Sequence, residues 1–513
     1  MRRVSLGRGA WESAIDCYTF FCIFALLFQT LLFEAHIVKK IALYSILLLL
    51  ISLLYNCQRE RVYIDDQDAK LSFTLDTVYF DTIFTTVGTT TRSFRVHNPY
   101  DRYIKINDIE LAGGKESVFR INVDGAAGTK FKDFEIAPKD SMYVFVEATL
   151  GENNSPDILR IQDSITFIVN GNTQDVDLVA WGQDVHILKD SILDNPLPWK
   201  ADKPYLIVGY AAVDTLQSLT MEAGVKVYMH RDSWLYVFGS LKMEGSLDEP
   251  VIVQGDRLER DYENIPGQWG GIRFLPGSFE NDIDNTYIVN GTVGLWADSM
   301  VTSSMPILTI TDTEINRMSY DGILARGTTI KASNLVIGDC GNSCMELLYE
   351  GSYSFTHCTF ANYWYSGFSN RRTPALYIAN YFAYEDDNGI VQVESRDIEE
   401  ATFRNCIIYG DHSHELIVSK SDDGILNYSF DRCLTRMDEQ EYNFHQDPNF
   451  IAITNNKDPL FDSLRVSYEL DTLSPAIDIA FLGYSNLFRY DKKGDDRLAD
   501  DKPDLGAFER IEE

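Results

Sequence analysis

The chain has 513 residues and a formal net charge of −32, from 45 Lys and Arg against 77 Asp and Glu. A field of that sign argues against nucleic acid as a partner, and against polyanionic glycans unless a local basic groove or a cation intervenes. Aromatic residues make up 12%, with 28 Tyr and 29 Phe, a content suited to half-buried strands.

Two apolar stretches come first, residues 17–33 (CYTFFCIFALLFQTLLF) and 41–55 (IALYSILLLLISLLY). Lys39 and Lys40 precede the second, and Cys57 follows it, the layout of a secretory signal. Cys57 in that place resembles the lipidated residue of a bacterial lipobox. Tyr55 and Asn56 depart from the small residues that the box prefers. Val38 before Lys39-Lys40 is an alternative start, which would make residues 1–37 an upstream extension. A two-span membrane hairpin and an uncleaved single anchor are the rivals, although both segments are short against the ~20 residues needed to cross.

Residues 58–70 are polar and read as a tether. From residue 71, short alternating strands follow one another, separated by Gly, Asn, Asp and Pro, which predicts an Ig-like β-sandwich over 71–188. The stretch FRVHNPYDRYIKINDIEL within it resembles sandwich modules that precede repeats in Bacteroidota surface proteins.

Beyond that boundary a hexapeptide recurs: apolar, any, Asn-like, any, any, apolar. It begins at Ile283, Ile310, Ala332, Phe355, Ile378, Phe403 and Phe430, in steps of 22 to 27 residues. That period is too short for a propeller blade and lacks the leucine-rich signature, whereas a β-helix coil fits it. First and last positions are expected to stack inward from coil to coil. The third position (Asn285, Asp312, Asn334, His357, Asn380, Asn405, Arg432) suits a left-handed bend. Cys358, Cys406 and Cys433 share the fourth position. On this count Cys358 and Cys406 lie two coils apart, too far to bond, and Cys406 and Cys433 one coil apart. Free buried thiols are expected, and Cys340-x-x-x-Cys344 lacks partners for zinc.

LTMEAGVKVYMH, SWLYVFGSLKMEGSLDEPVIVQGDR and IPGQWGGIRFLPGS within 219–278, with FRNCIIYG and the final PDLGAFE, resemble right-handed parallel β-helix lipoproteins of Bacteroidota, of pectin-lyase-like fold. The resemblance implies an all-β chain. Its expected divisions are 1–57 apolar segments and signal, 58–70 tether, 71–188 sandwich, 189–440 right-handed parallel β-helix, and 441–513 terminal coils with a cap. SPAID and DLGAFE are expected to close the open end of the solenoid. Asp478, Asp491, Asp495, Asp496 and Asp504 near that end lack calcium-loop spacing. No cofactor or metal is expected.

Candidate chemistry is sparse. Hydrolases of this shape need paired acids on adjacent coils, and lyases a basic residue beside acids. Asp386-Asp387, Asp422-Asp423, and the knot of Asp411, His412, His414 and Glu415 are the acidic candidates. The loop NYWYSGFSNRR offers Trp364, Tyr365, Arg371 and Arg372 as a surface for stacking on sugars. The expected function is binding or adhesion at the outer membrane surface, through a lipid on Cys57, with a polysaccharide or protein partner. A polysaccharide lyase or glycoside hydrolase is the alternative, and a structural part of an envelope complex a third.

Overall fold

The computed structural model describes residues 44–45 and 61–511, apart from 86–88, 152–157, 299–306, 365–366, 368–369, 387, 440–445, 463–466 and 500–501. The described residues form two five-stranded sheets, one 25-stranded sheet and a separate two-stranded hairpin.

The two small sheets make the sandwich. One runs in the order Ser72–Phe73, Arg92–His97, Ser141–Ala148, Phe119–Val123, Ala126–Gly128. The other runs Thr77–Phe84, Asn172–Gln183, Leu159–Val169, Ile104–Leu111, Lys130–Ile136. Period-2 alternation drives their packing. In Ser141–Ala148 the side chains of Met142, Val144, Val146 and Ala148 are buried between the sheets, while Tyr143, Phe145 and Glu147 are exposed. Residues 61–70, expected as a tether, pack on this domain instead. Ile64 N donates to Tyr103 O at 2.9 Å, Tyr103 N donates to Val62 O at 3.0 Å, and Ala69 is fully buried. Unpaired amides at the sheet margin recruit that polar stretch despite its composition.

The large sheet is a parallel β-helix opening at His186–Leu193, close to the expected boundary. Coil pairs with coil: Asn281–Asp284 with Leu308–Thr311, and Thr286–Val289 with Glu314–Asn316. The inward column runs as expected through Ile283, Ile310, Ala332 and Phe355, each opposite the next. It then passes directly to Phe403, Phe430 and Phe450. Those four phenyl rings stack nearly parallel, with centroids 5.0, 4.8 and 5.3 Å apart. The spacing is that of the strands themselves, so each ring fills one storey of the core.

The hexapeptide at 378–383 is the exception. Ile378 does not join this column; it pairs with Leu347 and Val418 in another one. Asn380 has no left-handed backbone, whereas Asn285, Asp312, Asn334, His357, Asn405 and Arg432 have φ between 43° and 53°. Residues 381–395 leave the solenoid as an antiparallel hairpin, and Arg396 N donates to Asn380 O at 3.0 Å where the excursion closes. Two corrections follow. Phe450 supplies a coil that the pattern missed. Cys358 and Cys406 lie on adjacent coils, not two apart: Ile407 N donates to Cys358 O at 2.9 Å, and Leu434 N to Cys406 O at 2.9 Å. All five described cysteines are free and buried.

The closing segment is also placed differently from expectation. The described residues of 458–511 lie along one flank of the β-helix as a strap. Their Phe461, Tyr468, Leu470, Leu505, Ala507 and Phe508 pack on outward-facing Val336, Ala361, Ile407 and Leu434. Farther along, the Lys492 ammonium sits 4.4 Å from the Tyr287 ring centroid and 3.8 Å from Glu314. The outward column Tyr287, Glu314, Val336, Thr359, Ile407, Leu434 is thus covered from several coils at once. Apolar groups at an outward position demand such a cover.

The strap is pinned through the bend residues. His357 Nδ1 faces Gly506 O at 3.3 Å, and its Nε2 lies 2.9 Å from Ser485 Oγ. Asn334 Nδ2 donates to Tyr490 O at 2.9 Å, and fully buried Arg497 donates to Asn334 Oδ1 at 3.1 Å and to Glu509 at 3.3 Å.

Candidate functional site

Of the residues expected to bind ligand, Cys57 and Tyr365 lie outside the described residues. Arg372 is exposed, but Trp364 and Arg371 are buried. Arg371 holds Glu415 with both guanidinium nitrogens, at 2.5 and 2.7 Å. Glu415 also accepts from the amides of Ala375 and His412 at 2.8 and 2.7 Å. This clamp ties Arg371 and Ala375 to the coil of Glu415. Trp364 and Arg371 are thus turned inward, where a desolvated guanidinium has to be paired.

The acidic candidates behave as turns. Asp386 accepts from the amides of Asn388 and Ile390, and Asp387 lies outside the described residues. Asp422 and Asp423 are exposed, and Asp423 N donates to Ser421 Oγ at 3.2 Å. His414 faces Asp438 at 3.7 Å. In the strap, Asp491 accepts from the amides of Lys493, Asp495 and Glu509, and Asp504 from those of Asp478 and Arg510. Among the described residues, no group of three or more His, Cys, Asp or Glu is placed to hold a metal ion.

A different face carries the convergent chemistry. Another outward column runs through Tyr236, Arg273, Trp296, Leu324, Glu346 and Tyr377, one per coil. Trp234 and Tyr236 stack with centroids 6.0 Å apart and planes within 9°, and Trp296 lies 6.1 Å from Trp234. Tyr210 extends the row, 6.2 Å from Tyr236. Gly270 and Gly271 explain how the indole lies against the sheet: a Cβ on Gly270 would stand 2.2 Å from the Trp234 ring.

Arginines complete the platform. The Arg273 guanidinium covers the Trp296 ring at 4.0 Å, and Arg326 lies 5.8 Å from it on the next coil. Asp298 takes both, at 3.0 and 2.6 Å. Arg326 also lies 4.7 Å from the ring of Phe382, so the hairpin forms one wall of the face. Flat rings flanked by planar donors can stack on the apolar side of a pyranose and bond its hydroxyls.

Two carboxyls border this face. Asp321 Oδ1 and Glu346 Oε1 both accept from Asn342 Nδ2, at 2.8 and 2.9 Å. Burial, then the charge of Glu346, pushes the Asp321 carboxyl well above the usual range, and burial raises Glu346. Asp321 Oδ2 is buried without a hydrogen-bond partner.

These residues escaped the sequence reading because it followed one hexapeptide only. WLYV, GIRF, GLWAD, ILAR, MELL and LYIA form a second series, with inward Leu235, Ile272, Leu295, Ile323, Met345 and Leu376 in register. Its alternate positions hold the aromatic and charged residues.

No family model and no curated protein matches the chain. Among solved structures, it resembles the catalytic unit of a GH87 α-1,3-glucanase from Streptomyces thermodiastaticus over 68% of this chain and 91% of that one, at 12% identity and a TM-score of 0.20. A PapD-like domain of human CEP192 is matched over 23% of this chain and 89% of its own, at 10% identity and a TM-score of 0.17. A family 123 glycoside hydrolase from Clostridium perfringens is matched over 22% of this chain and 26% of its own, at 7% identity and a TM-score of 0.17. Scores this low say nothing about activity.

Proposed function

We propose that this chain is an envelope lipoprotein of the Bacteroidota type, anchored through Cys57, whose β-helix binds an extended glycan along its open face. The row of Trp234, Tyr236 and Trp296, with Arg273 and Arg326 against Trp296, is the observation that carries the reading. Parallel coils repeat contacts at a fixed rise, so one polymer meets similar groups on successive coils. The net charge of −32 favours a neutral polymer.

The test is binding of the soluble chain from residue 58 to a polysaccharide panel by affinity electrophoresis. Loss of stacking at two rings predicts about a tenfold or greater fall in affinity for Trp234→Ala with Trp296→Ala. Unchanged binding by that variant, in a folded protein, would remove the reading. The anchor has its own check: Cys57→Ala abolishes labelling by radioactive palmitate, and protease shaving of intact cells reports whether the β-helix faces outward.

The shared Asn342 amide favours a second reading, a polysaccharide-cleaving enzyme. Half-buried Glu346, its proton affinity raised by burial, would serve as the acid, with buried Asp321 beside it on the neighbouring coil. Product analysis on each bound polysaccharide decides it: Glu346→Gln should stop release of reducing ends, and absence of any release by the wild type rules it out.

A further inference from the structure

A cleft separates the sandwich from the β-helix, and its chemistry is distinct from that of the open face. Its two chambers, of about 570 and 600 Å³, share Phe80, Asp81, Thr82, Arg92 and Glu259 and so form one channel. At its sandwich end the rings of Tyr79 and Trp181 lie 6.4 Å apart with planes within 16°. Tyr79 is 59% exposed, although neighbouring Phe80 on the same strand is fully inside. Rings with nearly parallel planes, one of them well exposed on the outer side of a sheet, offer an aromatic face on which the flat side of a sugar ring can stack.

The polar groups narrow the ligand. Arg257 grips Glu259 with Nε at 2.9 Å and Nη2 at 2.8 Å, and its guanidinium covers the Tyr262 ring at 3.8 Å. Arg92 reaches Glu259 from the sandwich at 3.9 Å, the ion pair that spans the channel. His230 Nδ1 meets Asp256 at 2.5 Å. The lining sets the carboxyls of Asp81, Asp232, Asp256, Glu259 and Asp261 against the guanidiniums of Arg92, Arg231, Arg257 and Arg260, so it carries no net positive charge to draw an anion. Carboxylate and guanidinium edges side by side do offer acceptors and donors to vicinal hydroxyls. Beneath the channel, Phe84, Leu206 and Tyr228 join the two domains through a small apolar cluster, which holds the walls at a fixed separation.

We infer that this junction cleft is a second saccharide site, which takes a neutral glycan segment by stacking on Tyr79 and Trp181 and hydrogen bonding to Arg92, Asp81 and Glu259. It stands on residues other than those of the open face, so either site can fail without the other.

The experiment uses the chain from residue 58 and affinity electrophoresis in gels containing dextran, mannan, xyloglucan or polygalacturonate. With at least one neutral polymer, Tyr79→Ala should weaken retardation about tenfold, also in the Trp234→Ala, Trp296→Ala background, while Tyr79→Phe keeps wild-type retardation. Trp181→Ala should do the same, with its melting temperature as the control for folding. Should both cleft variants run like wild type while the open-face variant loses binding, the cleft inference falls and the open-face reading stands. The reverse pattern keeps the cleft and removes the open face as a site. Retardation by polygalacturonate alone, or by no polymer, overturns the cleft.

Discussion

On the flank under residues 458–511 the outward positions include Val336, Ile407 and Leu434; on the open face they are Tyr236, Arg273, Trp296 and Glu346. The two columns stand on different strands of the same solenoid and alternate with one inward core. What differs is the cover. Beneath the strap, carboxylates and cations are tied to backbone amides and to one another. On the open face, rings and guanidinium groups stack on each other and stay half-exposed to solvent. An outward column thus shows by its composition whether the protein itself or something outside it completes the surface.

The contrast can be attacked by removing one charge from each side. Arg497→Ala, under the strap, leaves Glu509 and Asn334 without their buried partner, and should cost about 3–5 kcal/mol in urea unfolding. Arg273→Ala, on the open face, should cost under ~1 kcal/mol. Equal losses would mean that the two faces are not differently completed.

A pH titration sharpens it further. Burial, with the charge of Arg497 added, holds the His357 pKa well below its ordinary value. The unfolded chain takes up that proton below pH ~6.5 while the folded chain does not, so this contribution is whole above that pH and is lost on acidification, by about 1.4 kcal/mol per pH unit. His357→Asn, which installs the residue commonest at that bend, should flatten the acid limb of stability against pH. An unchanged limb would place the acid sensitivity elsewhere.

The smallest effect belongs to the hairpin. Its ends meet at the Arg396 N to Asn380 O bond, and Val391 and Val393 on it are exposed. Replacing residues 381–395 by a short turn should change stability by less than ~1 kcal/mol, since little packed surface is lost. It should nevertheless alter glycan affinity if Phe382 walls the open face. A collapse of the fold would show that the hairpin is part of the solenoid after all.

The β-helix was legible because inward side chains of successive coils must match in size and phase, and Ile283, Ile310, Phe355, Phe403 and Phe430 keep that phase. Ile378 misled because it too is inward and is followed by an Asn, so an insertion imitated a coil. The strap was half-legible. Phe508 and Ala507 announce burial, but nothing in their spacing distinguishes the end of a solenoid from its side. Arg371 and Trp364 were chosen for their residue types, and burial was the fact that type could not report. Trp234, Trp296, Asp321 and Glu346 required the second series, in which the informative positions are the ones that break the apolar rule.

The strap also orders events in time. Val336, Ile407 and Leu434 leave the ribosome before the residues that will shelter them, and so does the left-handed bend at His357. Until the described part of 458–511 arrives, a greasy stripe several coils long stays bare, which makes the nascent chain a natural client for holdase chaperones and a hazard if synthesis stalls late.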